Sequence, residues 1–128
     1  MKIAVTGGNE YTDFLLGILA AGKNRITVID RDQVFCERVC SAYDVEAIFG
    51  DPCEVGVLKD AGIRNFDVIV AMGQEDTDNF EICQMGKKVF GIQRAVCLVR
   101  NPRNVELFER LGIDQAVNVS VMIAEMLG

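Results

Sequence analysis

The stretch IAVTGGNEYTDFLLGILAAGKNRITVID, residues 3–30, decides the fold. Ile3 to Thr6 reads as a buried strand ended by Gly7-Gly8. Tyr11, Phe14, Leu15, Ile18 and Leu19 then recur at i, i+3, i+4, i+7 and i+8, a spacing that predicts one inward helix face, with Gly22 closing the helix. Arg25 to Ile29 is a second strand, and Asp30 stands at its carboxyl end. Strand, glycine turn, helix, strand and an acid 23 residues after Gly7 is the spacing of a dinucleotide-binding βαβ unit.

In such a unit the turn presents helix N–H groups to phosphate and the carboxylate accepts the ribose hydroxyls. Asp30 in that place would repel a 2′-phosphate and so disfavour NADP; the plainer alternative is a solvated acid at a strand end. The glycine fingerprint is incomplete. Read from Gly7, the pattern G-x-G-x-x-G meets Gly7-Gly8-Asn9-Glu10-Tyr11-Thr12, with Asn9 and Thr12 where glycines belong. Asn9 is expected to put a side chain where backbone should approach a pyrophosphate, and Glu10 adds a like charge at the same helix end. Gly8 then takes over the close approach, with Asn9 or Thr12 left to contact a smaller phosphate ligand. The alternative is a tight turn with no ligand.

The same alternation runs through the chain without repeats or linkers. A helix over about Asp32 to Tyr43 is expected to turn Phe35, Val39 and Ala42 inward, and Val45 to Phe49 is a third strand before Gly50-Asp51. A short helix over Val55 to Ala61 stops at Gly62, and Asp67 to Ala71 is a fourth strand followed by Met72-Gly73-Gln74. Carboxylates in Glu75-Asp76-Thr77-Asp78 favour a helix N-terminus, and that helix runs to about Val89. Arg94 to Val99 is strand five; Asn101-Pro102 supplies a cap and a first-turn proline for a helix ending at Gly112. Gln115 to Asn118 is a short sixth strand. Parallel pairing through crossover helices follows, and the predicted fold is a doubly wound, Rossmann-like α/β sheet of six mostly parallel strands with helices on both faces. Ligands of such sheets sit outside the strands' carboxyl ends where strand order reverses, which directs attention to Gly7, Asp30, Asp51 and the loop after Ala71.

Composition narrows the chemistry. The chain has 128 residues, half of them hydrophobic, with 2 prolines and 25% charged residues, the make-up of one compact domain and too little for a separate substrate domain. Lys and Arg number 13 against 19 Asp and Glu, a net charge of −6 that argues against nucleic acid as a partner. No histidine is present, which removes the common general base, the hydrolase triads and most zinc sites. Cys36, Cys40, Cys53, Cys83 and Cys97 lie in apolar segments without a Cys-x-x-Cys pair and read as reduced thiols, with no metal site expected. No stretch approaches the ~20 apolar residues of a membrane helix, and Met1 leads into Lys2-Ile3-Ala4-Val5 without an apolar leader, so a cytoplasmic chain with no direct membrane insertion is expected.

Four segments together carry a family resemblance: Val28-Ile29-Asp30-Arg31-Asp32; Gly50-Asp51 followed by Val57-Leu58-Lys59-Asp60-Ala61-Gly62-Ile63; Asp67-Val68-Ile69-Val70-Ala71; and Asn101-Pro102 through Leu107-Phe108-Glu109-Arg110-Leu111-Gly112-Ile113-Asp114. In this order, over nearly the whole chain, they resemble the N-terminal domain of potassium-conductance regulators (the TrkA-N or RCK N-domain family), which includes the regulatory subunits of Trk and Ktr potassium uptake systems. The resemblance implies a non-enzymatic domain that binds an adenine nucleotide, NAD(H), ATP, ADP or AMP, and transmits the bound state to a membrane channel or transporter subunit. By position it implies Gly7 and Gly8 at the phosphate turn with Asn9, Glu10 and Tyr11 beside them. Asp30 falls on the ribose acid, Arg31 beside the adenosine, and Asp51 with Pro52 near the adenine. Ala71, Met72 and Gly73 fall on the loop over the ribose, and Asn79 on the polar residue of the fourth helix. Many members carry an arginine in strand five where this chain has Leu98; Arg100, two residues on, would project from the same face if the strand continues, the alternative being an ordinary surface arginine.

Asp51 also occupies the phosphoacceptor place of a receiver domain, but Gly7-Gly8-Asn9-Glu10 and Arg100-Asn101 stand where that fold needs an acidic pair and a lysine. The tail Val119 to Leu127 is apolar on nearly every face and calls for a cover. The resemblance makes residues 119–128 the start of a crossover helix joining the 1–118 nucleotide-binding domain into a homodimer or higher ring, at the inner face of the membrane; a last helix covering the sheet edge is the alternative. Two competing functions remain: a small NAD-dependent oxidoreductase or a fragment of one, and a degenerate domain that binds nothing and serves assembly.

Overall fold

The computed structural model describes residues 1–128 throughout. Its strands are β1 (Lys2–Thr6), β2 (Arg25–Asp30), β3 (Glu46–Phe49), β4 (Val68–Ala71), β5 (Arg94–Leu98) and β6 (Gln115–Val117). Between and after them run α1 (Glu10–Ala20), α2 (Gln33–Ala42), α3 (Val55–Asp60), α4 (Asp76–Gln84), α5 (Arg103–Arg110) and α6 (Val119–Leu127). All five strand pairings are parallel, in the order β3-β2-β1-β4-β5-β6, so the expected doubly wound Rossmann-type sheet is present.

The period-two alternation of the strands sorts the core into two layers. Ile3, Val5, Ile26 and Val28 pack with Leu16 of α1 and with Phe35 and Val39 of α2. On the other face Ala4, Ile29, Ile69 and Ala71 pack with Leu58 of α3, with Ile82 and Cys83 of α4 and with Phe108 of α5. Burial on both faces explains why the central strands read as nearly continuous apolar runs. Thr6 pairs with both Ile29 and Ala71, so β1, β2 and β4 end at one level and Asp30 stands one residue beyond it. The chain turns outward from β1 in one direction through β2 and β3, then in the other through β4 to β6, which places the reversal between β1 and β4.

The inward face of α1 differs from the expected one. Thr12 and Leu16 are buried and Leu15, Leu19 and Ala20 half-buried, whereas Tyr11, Phe14 and Ile18 are 60%, 65% and 72% exposed. The apolar stripe is wider than the sheet can cover, and the Asn9 cap together with the buried Thr12 hydroxyl donating to the Gly7 carbonyl sets the helix rotation. On α2, Phe35 and Val39 face inward as expected, but Ala42 is exposed and Cys36 fills the third core position. The fourth helix reaches Val89, but its last turn, Met85–Val89, widens to π geometry. Asn101 caps the next helix as expected, its Oδ1 accepting the Arg103 N–H at 3.0 Å, and Pro102 already has helical backbone angles. Asn118 caps α6 through Val121 and anchors it to the sheet by donating to the carbonyls of Val99 and Arg100. No residue of α6 is buried, and Met126 and Leu127 are 77% and 83% exposed.

Gly7 combines φ +91° with a backbone approach in which a Cβ would stand 2.3 Å from the Gly73 nitrogen. Gly7→Ala therefore meets both a left-handed backbone penalty and a collision with main chain that cannot rotate away. The expected loss is about 2–4 kcal/mol, read as a lower urea midpoint with little change in slope.

Candidate functional site

At the reversal between β1 and β4 the carboxyl ends of the strands enclose a cleft of about 390 Å³. Of the residues expected at a site, Gly7, Gly8, Asp30, Arg31, Asp51, Pro52, Gly73 and Asn79 line it. Gly8 is the close-approach position: a Cβ there would lie 2.7 Å from the Phe35 ring and 2.9 Å from Asp30 Oδ2. The Gly8 N–H donates to Asp30 Oδ1 at 2.9 Å and the Asp32 N–H to Asp30 Oδ2 at 3.0 Å. The carboxylate is thus held in place by two backbone donors, and each oxygen keeps a lone pair for a further donor.

The remaining expected residues stand elsewhere. Asn9 does not project toward a pyrophosphate: its Oδ1 accepts the Thr12 N–H at 3.1 Å and its Nδ2 donates to the Met72 carbonyl at 2.8 Å, so the amide both caps α1 and ties it to the loop after β4. Glu10 and Tyr11 are exposed on the first turn of α1 and do not line the cleft, and Ala71 is buried in the core beneath the loop. Met72 packs with the layer of α1 and α2 and joins the site's framework through its backbone, the N–H donating to the Thr6 carbonyl and the carbonyl accepting from Asn9. Arg100 does not line the cleft. β5 stops at Leu98, and the Arg100 N–H is turned to Asp76 Oδ1 at 2.8 Å, leaving its side chain at the surface.

Asn79 is 1% exposed and fully engaged: Oδ1 accepts the Gly73 N–H at 2.9 Å, while Nδ2 donates to the carbonyls of Gly73 at 2.8 Å and Leu98 at 3.0 Å. It shapes the loop over the cleft, and its amide is spent inside the chain. Asp51 accepts the Cys53 N–H at 2.9 Å, and its other oxygen lies 3.9 Å from Arg31, which stands at the same distance from Asp78.

Thr6, Asp32, Cys53, Gln74, Glu75 and Asp78 also line the cleft and were not singled out as site residues from the sequence. Thr6 was open to inference, since alternation from Ala4 places it on the inner face at the strand's end. Its Oγ1 is buried without a hydrogen-bond partner. Cys53 needed the tertiary structure, because α4 alone brings Asp78 and Glu81 to it; the three donor atoms lie within 4.8 Å of one another. Burial first, then the charges of Asp78, Asp51 and Glu81, push the Cys53 thiol up to about 11, so it stays protonated at neutral pH and is a poor metal ligand as it stands. All five cysteines are unpaired. A second cavity, about 370 Å³, opens at the strands' amino ends beside Lys2, Arg25 and Phe66, away from the helix N-termini.

A parallel sheet with its cleft at the strand-order reversal, a two-glycine turn and an acid ending the second strand define a Rossmann-type α/β domain. The chain belongs to the TrkA-N domain family, whose model matches residues 3–119. A Trk system potassium uptake protein TrkA from Mycobacterium tuberculosis is 32% identical over 99% of the chain, which corresponds to 58% of that relative. A homolog from Methanothermobacter thermautotrophicus is 26% identical over 92% of the chain and 54% of its own length. The chain thus spans little more than half of these curated relatives. Among solved structures, the TrkA-N domain of the inner membrane protein ybaL from Escherichia coli superposes with a TM-score of 0.87 at 14% identity, covering 98% of this chain and 93% of that one. The GsuK channel bound to NAD superposes at 0.78 with 20% identity over 91% of this chain and 21% of that one. The Kef C-terminal domain of Shewanella denitrificans in an AMP-bound form superposes at 0.77 with 17% identity over 100% of this chain and 77% of that one.

Asp76 fastens the rim opposite the glycine turn, accepting from the N–H groups of Arg100 and Asn101 and from the Asn104 amide. Burial pushes its carboxyl up, but those two N–H groups, the Asn104 amide and the Arg100 charge outweigh it and hold the group below the usual carboxylate range. A depressed folded value means that the stabilisation is complete above the unfolded value near ~3.9 and is lost as pH falls through the folded one. Asp76→Asn should lower stability at pH 7 by on the order of 1–3 kcal/mol and flatten the acid limb below about pH 4, as followed by urea unfolding across pH.

Proposed function

We propose that this domain is an adenine-nucleotide sensor for a potassium uptake system. The observation that carries the reading is Asp30, pinned by the N–H groups of Gly8 and Asp32 at the mouth of the cleft, where its remaining lone pairs suit the two hydroxyls of a ribose. In this reading the Gly7-Gly8 turn faces the phosphate, Arg31 lies along the adenosine, and Asp51-Pro52 walls the adenine. Gly73, held by Asn79, closes over the ribose. The names of the relatives and the NAD- and AMP-bound neighbours support the same reading. The chain also lacks histidine, the most frequent general acid–base group of oxidoreductases.

A sensor works by differential affinity: nucleotide that binds one arrangement of paired domains better than another shifts their populations, and an attached channel follows. The partners are a second copy of the chain, joined through the uncovered α6, and a membrane potassium channel or transporter subunit. No helix here is long and apolar enough to cross a membrane; in this reading the domain acts on that subunit from the cytoplasmic side.

Thermal denaturation with millimolar NAD, NADH, ATP, ADP and AMP in turn tests the sensor. At ~100 times its dissociation constant a ligand adds ~2.7 kcal/mol, several degrees for a domain of this size. At least one nucleotide should give such a shift and Asp30→Ala should abolish it; no shift with any of them refutes the reading. Light scattering tests the pairing: a dimer is expected at high concentration, converting to monomer in Met126→Asp, and a strictly monomeric parent chain would count against it.

A further inference from the structure

The cleft is lined by five carboxylates, Asp30, Asp32, Asp51, Glu75 and Asp78, and by a single cation, Arg31. That guanidinium is already shared between Asp51 and Asp78, at 3.9 Å from each. Several of the backbone donors around the turn are occupied as well, although α4 carries no side-chain cap. Asp30 takes the Gly8 N–H, Asn9 the Thr12 N–H, Asp32 the N–H groups of Val34 and Phe35, and Asn79 the N–H of Gly73. Glu10 in the first turn of α1 and Asp76 and Asp78 in that of α4 add negative charge at helix ends where an anion would otherwise be favoured. Among its side chains the cleft offers chiefly carboxylate oxygens, including the second lone pairs of Asp30.

Resting on the nucleotide reading above, we propose that this cleft selects among adenine nucleotides by charge, accepting NAD+ or AMP and rejecting ATP that carries no divalent cation. At neutral pH free ATP has about four negative charges, AMP about two and NAD+ about one. An acidic cleft makes each added negative charge unfavourable, and ribose hydroxyls gain hydrogen bonds there whatever the phosphate count. A divalent cation on ATP offsets both its phosphates and the lining carboxylates, which turns rejection into a cation-dependent effect.

Isothermal titration of the chain with NAD+, AMP, ADP and ATP tests this, first at low ionic strength with EDTA, then with excess magnesium, then with the Asp78→Asn and Glu75→Gln variants after their folding has been checked by circular dichroism. The expected result is AMP and NAD+ binding at least tenfold tighter than ATP in EDTA. Magnesium should narrow that gap threefold or more, and so should at least one of the two variants. ATP binding as tightly as AMP in EDTA overturns the proposal, as does a gap indifferent to magnesium and to both variants. Equal binding of all four nucleotides sinks charge selection while sparing the sensor reading, whereas no binding by any of them sinks both.

Discussion

The contact on which the rest depends is the approach of the Gly7 backbone to that of Gly73. The first chain turn after β1 and the first after β4 meet where no Cβ fits on Gly7. Because β1 and β4 are also paired in register, this contact lets two strands distant in sequence end together and still leave room for a cleft above them. Asn79 locks one side of the junction by taking both the N–H and the carbonyl of Gly73. Asn9 locks the other by reaching from the cap of α1 to the carbonyl of Met72. Two asparagines therefore do for this turn what additional glycines do for an intact fingerprint: they set the path of the backbone, but by hydrogen bonds.

That substitution changes what the site can hold. A glycine-rich turn leaves its N–H groups open for phosphate, whereas here the side chains of Asp30, Asn9, Asp32 and Asn79 have taken several of them. Stability and recognition draw on the same groups. The departures from the fingerprint therefore move the site from phosphate gripping toward recognition of hydroxyls and shape, in keeping with the excess of carboxylates on its walls.

The architecture was legible because each strand run is short, rich in β-branched residues and followed by a helix-length segment, a pattern with few packing solutions. The acid at the end of β2 and the glycine turn were legible for the same reason, since their spacing along the chain equals their spacing across one βαβ unit. Legibility failed where an element carries more apolar surface than one face can bury. On α1 the periodicity picks Tyr11, Phe14 and Ile18 and passes over the buried Leu16, because the cap and the Thr12 bond set which side of the helix meets the sheet. It failed also for Arg100, where an offset of two implied a shared strand face, but the strand ends at Leu98 and Asp76 captures the backbone beyond it.

By itself the sequence determined the parallel α/β fold, the position of its cleft and the candidate acid at the strand end, because local periodicity and spacing along one chain encode them; four segments in order carried the resemblance to the family. The tertiary structure alone decided which groups face one another across that cleft. The pairing of Arg31 with both Asp51 and Asp78, the acids around Cys53, the orphan hydroxyl of Thr6 and the inward turn of Asn9 and Asn79 all arise from segments tens of residues apart. The physical reason is that hydrogen bonds and charges act over a few ångströms of space, and the distance between two side chains across strand ends is set by the packed sheet and not by their separation along the chain.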